Sequence, residues 1–238
     1  MLNFFIEPLQ ELIFPSYCLE CDQRLPCREL PVLCNDCLAD ISFLSSPACP
    51  CCGMPFLSGH DHFCGLCLKN TFAFDRARAA MQYKKPVTSL ISALKFNGTL
   101  TGLATLAHLA VNSPGIKDLH EPDMILPVPL HIRRLRERQF NQALVIGKSC
   151  FPGYRSRIHT GVLVRHRATS PQTSLNGAAR RKNLAGAFSL TSPETVRNKT
   201  ILLIDDVLTT GSTVNECARV LRRAGARRIE VFTLARAI

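Results

Sequence analysis

No stretch of the 238-residue chain approaches the roughly 18 consecutive apolar residues that a membrane-spanning helix needs, although 46% of its residues are hydrophobic. The opening residues, Met1-Leu2-Asn3-Phe4-Phe5-Ile6-Glu7, carry no basic segment and no cleavage signal, so the expected location is cytoplasmic. Phe5, Leu9, Leu12 and Ile13 recur at helical spacing and predict a short helix within 4–14 packed on its own domain. Its charges, Glu7 and Glu11, are both acidic, which speaks against a membrane surface. Aromatic side chains are scarce at 7%, and few remain for stacking on bases; Tyr83 and Phe140 are the candidates. Cations are nearly missing from residues 1–74, where Arg24, Arg28 and Lys69 face eight acidic side chains. That region lacks the positive surface that nucleic-acid binding requires. The other 26 basic and 10 acidic residues lie in 75–238 and account for the net charge of +11. The field that attracts phosphate-bearing partners therefore belongs to the second region.

Cysteine is distributed just as unevenly. Ten of the 12 fall between Cys18 and Cys67, leaving only Cys150 and Cys217. With no secretion signal, a metal explains them better than disulfides. Four Cys-x-x-Cys pairs stand in a row: Cys18/Cys21, Cys34/Cys37, Cys49/Cys52 and Cys64/Cys67. Each pair offers two thiolates from one tight turn, and two turns close a tetrahedral four-thiolate site. Twelve residues separate Cys21 from Cys34 and eleven separate Cys52 from Cys64, room in each case for a short hairpin. The simplest expectation is two successive zinc ribbons, each holding one structural Zn2+; a crossed pairing of first with third and second with fourth, or redox dithiols, are the alternatives. Cys27 and Cys51 fall outside the pattern, and His60 and His62 are surplus to sites already filled by thiolates. With all positions taken by protein, no place remains for a catalytic water. An acidic module of this kind suits docking to protein.

From Asp75 onward, apolar runs alternate with helical patterns. A strand or turn and then a helix is expected over 81–96, with a helix at 100–111, a buried strand at 123–128 and a helix at 141–150. Further on come a strand at 161–164, a helix at 174–183, a strand at 200–204, a helix at 212–224 and a last strand at 228–234. Apolar strands alternating with helices imply a parallel sheet covered on both faces. The sharpest motif is Ile201-Leu202-Leu203-Ile204-Asp205-Asp206-Val207-Leu208-Thr209-Thr210-Gly211-Ser212-Thr213. A buried strand leads into two adjacent carboxylates, then a hydroxyl-rich turn, then a helix. Backbone N–H groups of Thr210–Thr213 at that helix start form a phosphate cradle, with the hydroxyls of Thr209, Thr210, Ser212 and Thr213 beside it. The carboxylates suit ribose hydroxyls and Mg2+.

This segment resembles the PRPP-binding signature of type I phosphoribosyltransferases. The resemblance implies that fold, a parallel-sheet Rossmann-like α/β core, at 75–238, behind a small double zinc-ribbon domain at 1–74. It also implies that Asp205 and Asp206 hold the ribose 2′- and 3′-hydroxyls with Mg2+, and that the stretch Val207, Leu208, Thr209, Thr210, Gly211, Ser212, Thr213 encloses the 5′-phosphate. Leu94-Lys95-Phe96-Asn97-Gly98, Leu126-Pro127-Val128-Pro129-Leu130, Arg138-Gln139-Phe140-Asn141-Gln142-Ala143, Pro171-Gln172 and Arg180-Arg181-Lys182-Asn183-Leu184-Ala185-Gly186-Ala187-Phe188 resemble the ComF/ComFC competence family. That family has Arg-Gly-Phe-Asn-Gln where this chain has Gln139, so a turn built for glycine must here differ or tolerate strain. The resemblance implies a role in natural transformation, acting on incoming single-stranded DNA alongside a competence helicase and DNA-processing proteins.

Transfer from PRPP needs cations for the departing pyrophosphate. The loop candidate is 127–138, with Arg133, Arg134, Arg136 and Arg138. The lid candidate is 165–182, with Arg165, Arg167, Arg180, Arg181 and Lys182. Lys95, Arg133, Arg138, Arg165, Arg180 and Arg181 are the pyrophosphate and lid candidates. In 6-oxopurine transferases a carboxylate lies three residues beyond the second acid; here that position is Thr209, a poor base at neutral pH. The expectations are therefore a competence-type binding protein or, alternatively, an active phosphoribosyltransferase with an unidentified acceptor, or a scaffold with a vestigial site. Arg222, Arg223, Arg227 and Arg228, at the opposite end of the last helix, are either a DNA contact or cations favoured by a helix C-terminus.

Overall fold

The structure, a computed structural model, describes residues 16–26, 30–69, 72–97, 100–167 and 184–238, with side chains for all of these except 94–97 and 100. The helices expected within 4–14 and over 174–183, Cys27, Arg180, Arg181 and Lys182 lie outside the described residues, as does the side chain of Lys95. The described strands are β1 (Arg76–Gln82), β2 (Met124–Pro127), β3 (Leu163–Arg165), β4 (Phe188–Leu190), β5 (Thr200–Leu208) and β6 (Arg228–Arg236). The described helices are α1 (Asn35–Ala39), α2 (Gly65–Lys69), α3 (Val87–Asn97), α4 (Leu100–Val111), α5 (Pro114–Lys117), α6 (Ile132–Arg138), α7 (Gln142–Cys150) and α8 (Ser212–Arg223).

Four strands form one parallel sheet in the order β1-β6-β5-β2. The two central strands are apolar on both faces, as a doubly covered parallel sheet requires. Leu202, Ile204, Phe232 and Leu234 point into one buried cluster with Val87, Leu90, Leu103 and Ile146. Ile201, Leu203, Ile229 and Val231 point into the other, with Val214, Cys217, Ala218 and Leu221. The alternation follows from the two-residue period of a strand. Val214, Cys217, Ala218 and Leu221 recur at i, i+3, i+4 and i+7, so α8 lays one apolar stripe on the sheet. Full burial of each large side chain here is worth about 1.5–3 kcal/mol.

Several expected boundaries move. The strand at the start of the α/β region runs over Arg76–Gln82 rather than beginning near residue 81. Its sequence, Arg-Ala-Arg-Ala-Ala-Met-Gln, has no β-branched residue, so propensity conceals it; burial of Ala77, Ala79, Ala80 and Met81 against β6 decides the matter. The segment 127–138, expected as a loop, contains α6. The motif strand continues through both acids to Leu208, because Asp205, Val207 and Leu208 keep register with Thr233, Ala235 and Arg236. The short strand after Gly161 is Leu163–Arg165, and it pairs antiparallel with β4.

Candidate functional site

The loops after β2 and β5 leave the same end of the sheet. Pro127 is the register partner of Ile204, and the Val128 N–H donates to the Ile204 carbonyl at 2.8 Å. Carboxyl ends of neighbouring parallel strands are where such sheets bind ligands. Here they frame a cleft of about 160 Å3 lined by Val128, Pro129, Leu130, Arg134, Arg138, Asn141, Gln142, Ala143, Arg165, Asp205, Asp206 and Thr213. The carboxylates rest on their own chain. Asp205 Oδ1 accepts from the Asp206 N–H at 3.0 Å, and Asp206 Oδ1 accepts from the Val207 N–H at 2.7 Å.

Gly211 precedes α8 as its N-cap with φ +72°, a left-handed conformation that glycine adopts without steric cost. The first turn of α8 then opens toward the strand ends with backbone N–H groups that no helical carbonyl can satisfy. The Thr210 and Ser212 hydroxyls lie 2.8 Å apart beside it, and the Ser212 N–H reaches the Thr210 hydroxyl at 3.4 Å.

Helix α6 brings cations to the acid pair. Arg134 and Arg138, four residues apart, share the half-buried face that lines the cleft, whereas Arg133 and Arg136 point outward and are exposed. Burial is the largest influence on the Arg138 guanidinium and lowers its pKa. Arg134 adds to that effect, while Asp206, Glu137 and Asp205 oppose it. Burial likewise lowers the Arg165 pKa, Arg134 again adding to it, with Cys217 and Asp205 opposing. Arg165 also lies over the Phe188 ring, 5.3 Å from its centroid. Arg134 joins the site from the expected pyrophosphate loop, and Asn141 and Gln142 join it without a role assigned from sequence; the signals are an i, i+4 arginine pair and the Phe-Asn-Gln run. Asn141 caps α7 by accepting from the Ala143 N–H at 3.0 Å and donates to the Val128 carbonyl at 3.1 Å, which fixes the loop that walls the cleft.

Gln139 ends α6 with φ +64°, so the backbone keeps the glycine-type turn and the side chain bears the strain. At the far end of α8, three of the four arginines are engaged. Arg222 reaches Asp75 Oδ2 at 2.7 Å and the carbonyls of Ala226, Arg227 and Ala73. Arg227 reaches the Thr200 hydroxyl at 3.0 Å, and Arg228 lies 3.7 Å from Glu230. These cations fasten strand ends together.

The cysteines gather as Cys18, Cys21, Cys34 and Cys37 and, separately, Cys49, Cys52, Cys64 and Cys67, with each group's sulfurs within 4.8 Å of one another. The consecutive pairing is thereby chosen over the crossed one. The Cys21–Cys34 and Cys52–Cys64 Sγ separations are both 3.6 Å. A tetrahedral Zn2+ with Zn–S bonds of about 2.3 Å needs sulfurs about 3.8 Å apart, so the donor set fits zinc. Burial works against the Cys18 thiolate, yet the backbone N–H groups of Cys21, Cys34 and Glu20 outweigh it and bring the thiol down to about 7. Cys49 is likewise brought to about 7, against burial, by the amides of Cys52, Cys64 and Cys51. Cys51 belongs to neither group. His62 instead stacks on Phe56, with ring centroids 3.8 Å apart.

The double zinc ribbon domain profile matches residues 9–68, and the phosphoribosyl transferase domain profile matches residues 155–238. Competence protein F of Haemophilus influenzae is 35% identical over 210 residues, covering 86% of this chain and 90% of that protein. The DNA utilization protein YhgH of Escherichia coli is 34% identical over 195 residues, covering 80% and 84%. Competence protein ComFC of Streptococcus pneumoniae is 28% identical over 204 residues, covering 86% and 87%. Among solved structures, the glutamine PRPP amidotransferase of B. subtilis aligns at 17% identity with a TM-score of 0.33, over 55% of this chain and 24% of that one. The chain thus spans about a quarter of that enzyme's length.

Proposed function

The chain belongs to the ComF/ComFC family of competence proteins, a double zinc ribbon followed by a phosphoribosyltransferase domain, and from that premise we propose that its cleft binds the 5-phosphoribosyl group of PRPP with Mg2+. The observation that carries this reading is the convergence of Arg134, Arg138 and Arg165 on Asp205 and Asp206 beside the start of α8. In this reading Thr209–Thr213 hold the 5′-phosphate at the helix start, and the two carboxylates take the ribose hydroxyls. The arginines neutralise the diphosphate. Asp205 and Asp206 are the residues that would hold a Mg2+, which would supply further charge neutralisation. The transferase domain, taken as 75–238, handles incoming single-stranded DNA in the cytoplasm through its cationic surface and works beside a competence helicase and DNA-processing partners. The ribbon domain, 1–74, docks protein.

The second reading, an active transferase with an unidentified acceptor, is favoured by the same arginines, since they stand where a departing pyrophosphate would need stabilising. Thr209, exposed and a poor base at neutral pH, speaks only against a 6-oxopurine acceptor.

Calorimetric titration of the zinc-loaded protein with PRPP and Mg2+ tests the site, alongside an Asp205→Ala/Asp206→Ala variant. Micromolar binding that weakens at least about tenfold in the variant is expected. A folded wild-type protein that binds no PRPP would remove the proposal. Release of pyrophosphate on adding PRPP would favour the transferase reading.

A further inference from the structure

The second cysteine cluster and the phosphate turn are physically joined. Arg236, the last residue of β6, is only 3% exposed. Its guanidinium donates to the Cys52 carbonyl at 2.6 Å and lies 3.6 Å from the Cys52 sulfur. Arg236 is also the register partner of Leu208, and the next residue, Ala237, donates its N–H to the Leu208 carbonyl at 3.0 Å. Leu208 directly precedes Thr209. From the other side, the Ala73 N–H donates to Asn215 Oδ1 at 2.7 Å. Asn215 is 4% exposed, and its own N–H closes the first turn of α8 on the Gly211 carbonyl at 2.9 Å. Phe72 completes the link. A Cβ placed on Gly211 would lie 3.5 Å from Phe72 Cε1, and the same ring packs against the Cys49, Cys52 and Cys64 cluster.

Four thiolates around one Zn2+ carry a net charge of −2. A buried charge of that size needs cationic and hydrogen-bonding partners to offset its lost hydration. Arg236 supplies both, so its own placement depends on a loaded site. Without metal the Cys49–Cys67 segment loses the constraint that holds the Cys52 carbonyl and Phe72 in place. The first cluster sits elsewhere, packed with helices α3 and α4 in the core cluster on the opposite face of the sheet from α8.

We propose that Arg236 is a positioning residue, and that the metal-loaded Cys49/Cys52/Cys64/Cys67 site sets the backbone of Thr209–Thr213 through Arg236, Asn215 and Phe72. Binding at the phosphate turn then depends on the second metal and not on the first. The proposal rests on the phosphate reading above only for its ligand; the mechanical link to the turn stands without it. Linkage makes the effect reciprocal, so a ligand on the turn tightens retention of the second metal by the same factor.

The test uses the full chain and two readouts: amide hydrogen exchange over residues 205–216 and PRPP binding by calorimetry. Cys64→Ser/Cys67→Ser and Arg236→Met are each expected to speed exchange there and weaken PRPP about tenfold. Arg236→Lys, which keeps a charge and a donor, is expected to recover part of both. Cys18→Ser/Cys21→Ser, holding only the second metal, is expected to leave both within about threefold of wild type. Should the cysteine variants fail to fold, Arg236→Met against Arg236→Lys and Asn215→Ala still decide the matter. Wild-type exchange at 205–216 in a folded Arg236→Met protein would overturn the proposal, as would equal disturbance from the first-site variant. If the wild-type protein bound no PRPP, the phosphate reading would fall while the exchange data still judged the link.

Discussion

The first cysteine cluster meets the α/β domain through apolar surface. Leu33 and Ile41, 4% and 7% exposed, share one buried cluster with Val87, Leu90, Leu103 and Leu106. Its polar ties there include the Val32 N–H on the Thr105 hydroxyl at 3.1 Å and the Lys85–Glu20 ion pair at 3.4 Å. The second cluster meets the same domain through backbone and guanidinium groups. The Ala77 N–H donates to the Cys51 carbonyl at 2.6 Å, Arg78 reaches the Cys49 and Pro50 carbonyls at 3.4 and 3.2 Å, and Arg236 holds Cys52. One ligand set thus serves two modes of attachment. Apolar burial is non-directional and fixes only that the ribbon stays docked. Hydrogen bonds to a knuckle's carbonyls are directional and fix where each atom lies. The ribbon that must transmit position to a neighbouring site is the one built with directional contacts.

The largest effect is expected where the apolar attachment is cut. Leu33→Ala should cost about 2–5 kcal/mol in denaturant unfolding, as other buried leucine truncations do, with zinc content at the second site unchanged. A loss below about 1 kcal/mol would show that the first ribbon is held by something other than its core contact. Gly53→Ala should come next. A Cβ there would lie 2.7 Å from the Ala77 carbonyl oxygen at a φ of +68°, so the knuckle or β1 must shift. A cost of about 1–3 kcal/mol is expected, with weakened zinc retention confined to the second site, read by chelator competition. Equal weakening at both sites would erase the distinction. Arg78→Met should cost about 1–3 kcal/mol. Arg78 also pairs with Asp118, so part of this loss should shrink at high salt, whereas the Leu33→Ala loss should not.

The sequence made the chemistry legible and left the joinery obscure. Cysteine spacing announced two four-thiolate sites but left the crossed pairing open; the three-dimensional grouping of Cys18 with Cys34 decides it. The apolar strand, acid pair and TTGST turn were legible because each part is a local signal. Arg134 was visible only as one arginine among four, since the face a short helix turns inward depends on what packs against it. Strand β1 stayed hidden behind alanines and arginines whose strand state comes from pairing with β6. Arg236 carried no signal at all: it lies 184 positions beyond Cys52. The arginines at the end of α8 and just beyond it read from sequence as a DNA surface or as helix C-terminal cations, and their ties to Asp75, Thr200 and Glu230 reveal a structural use.

The smallest expected effect is Gln139→Gly, and it bounds the ribbon comparison from outside, because Gln139 belongs to the turn after α6. At φ +64° a residue with a Cβ is strained by about 1–2 kcal/mol. Glycine removes that strain but adds freedom to the unfolded chain, worth about 0.5–1 kcal/mol the other way. The net gain in denaturant unfolding should therefore lie between about 0 and 1.5 kcal/mol. Zinc retention at both clusters should stay at the wild-type level. If PRPP binding also stays unchanged, the backbone of the turn already holds Arg138 in its working place and the glutamine is merely tolerated. If binding changes while stability does not, the Gln139 side chain itself takes part at the cleft, and the strain is retained for that purpose.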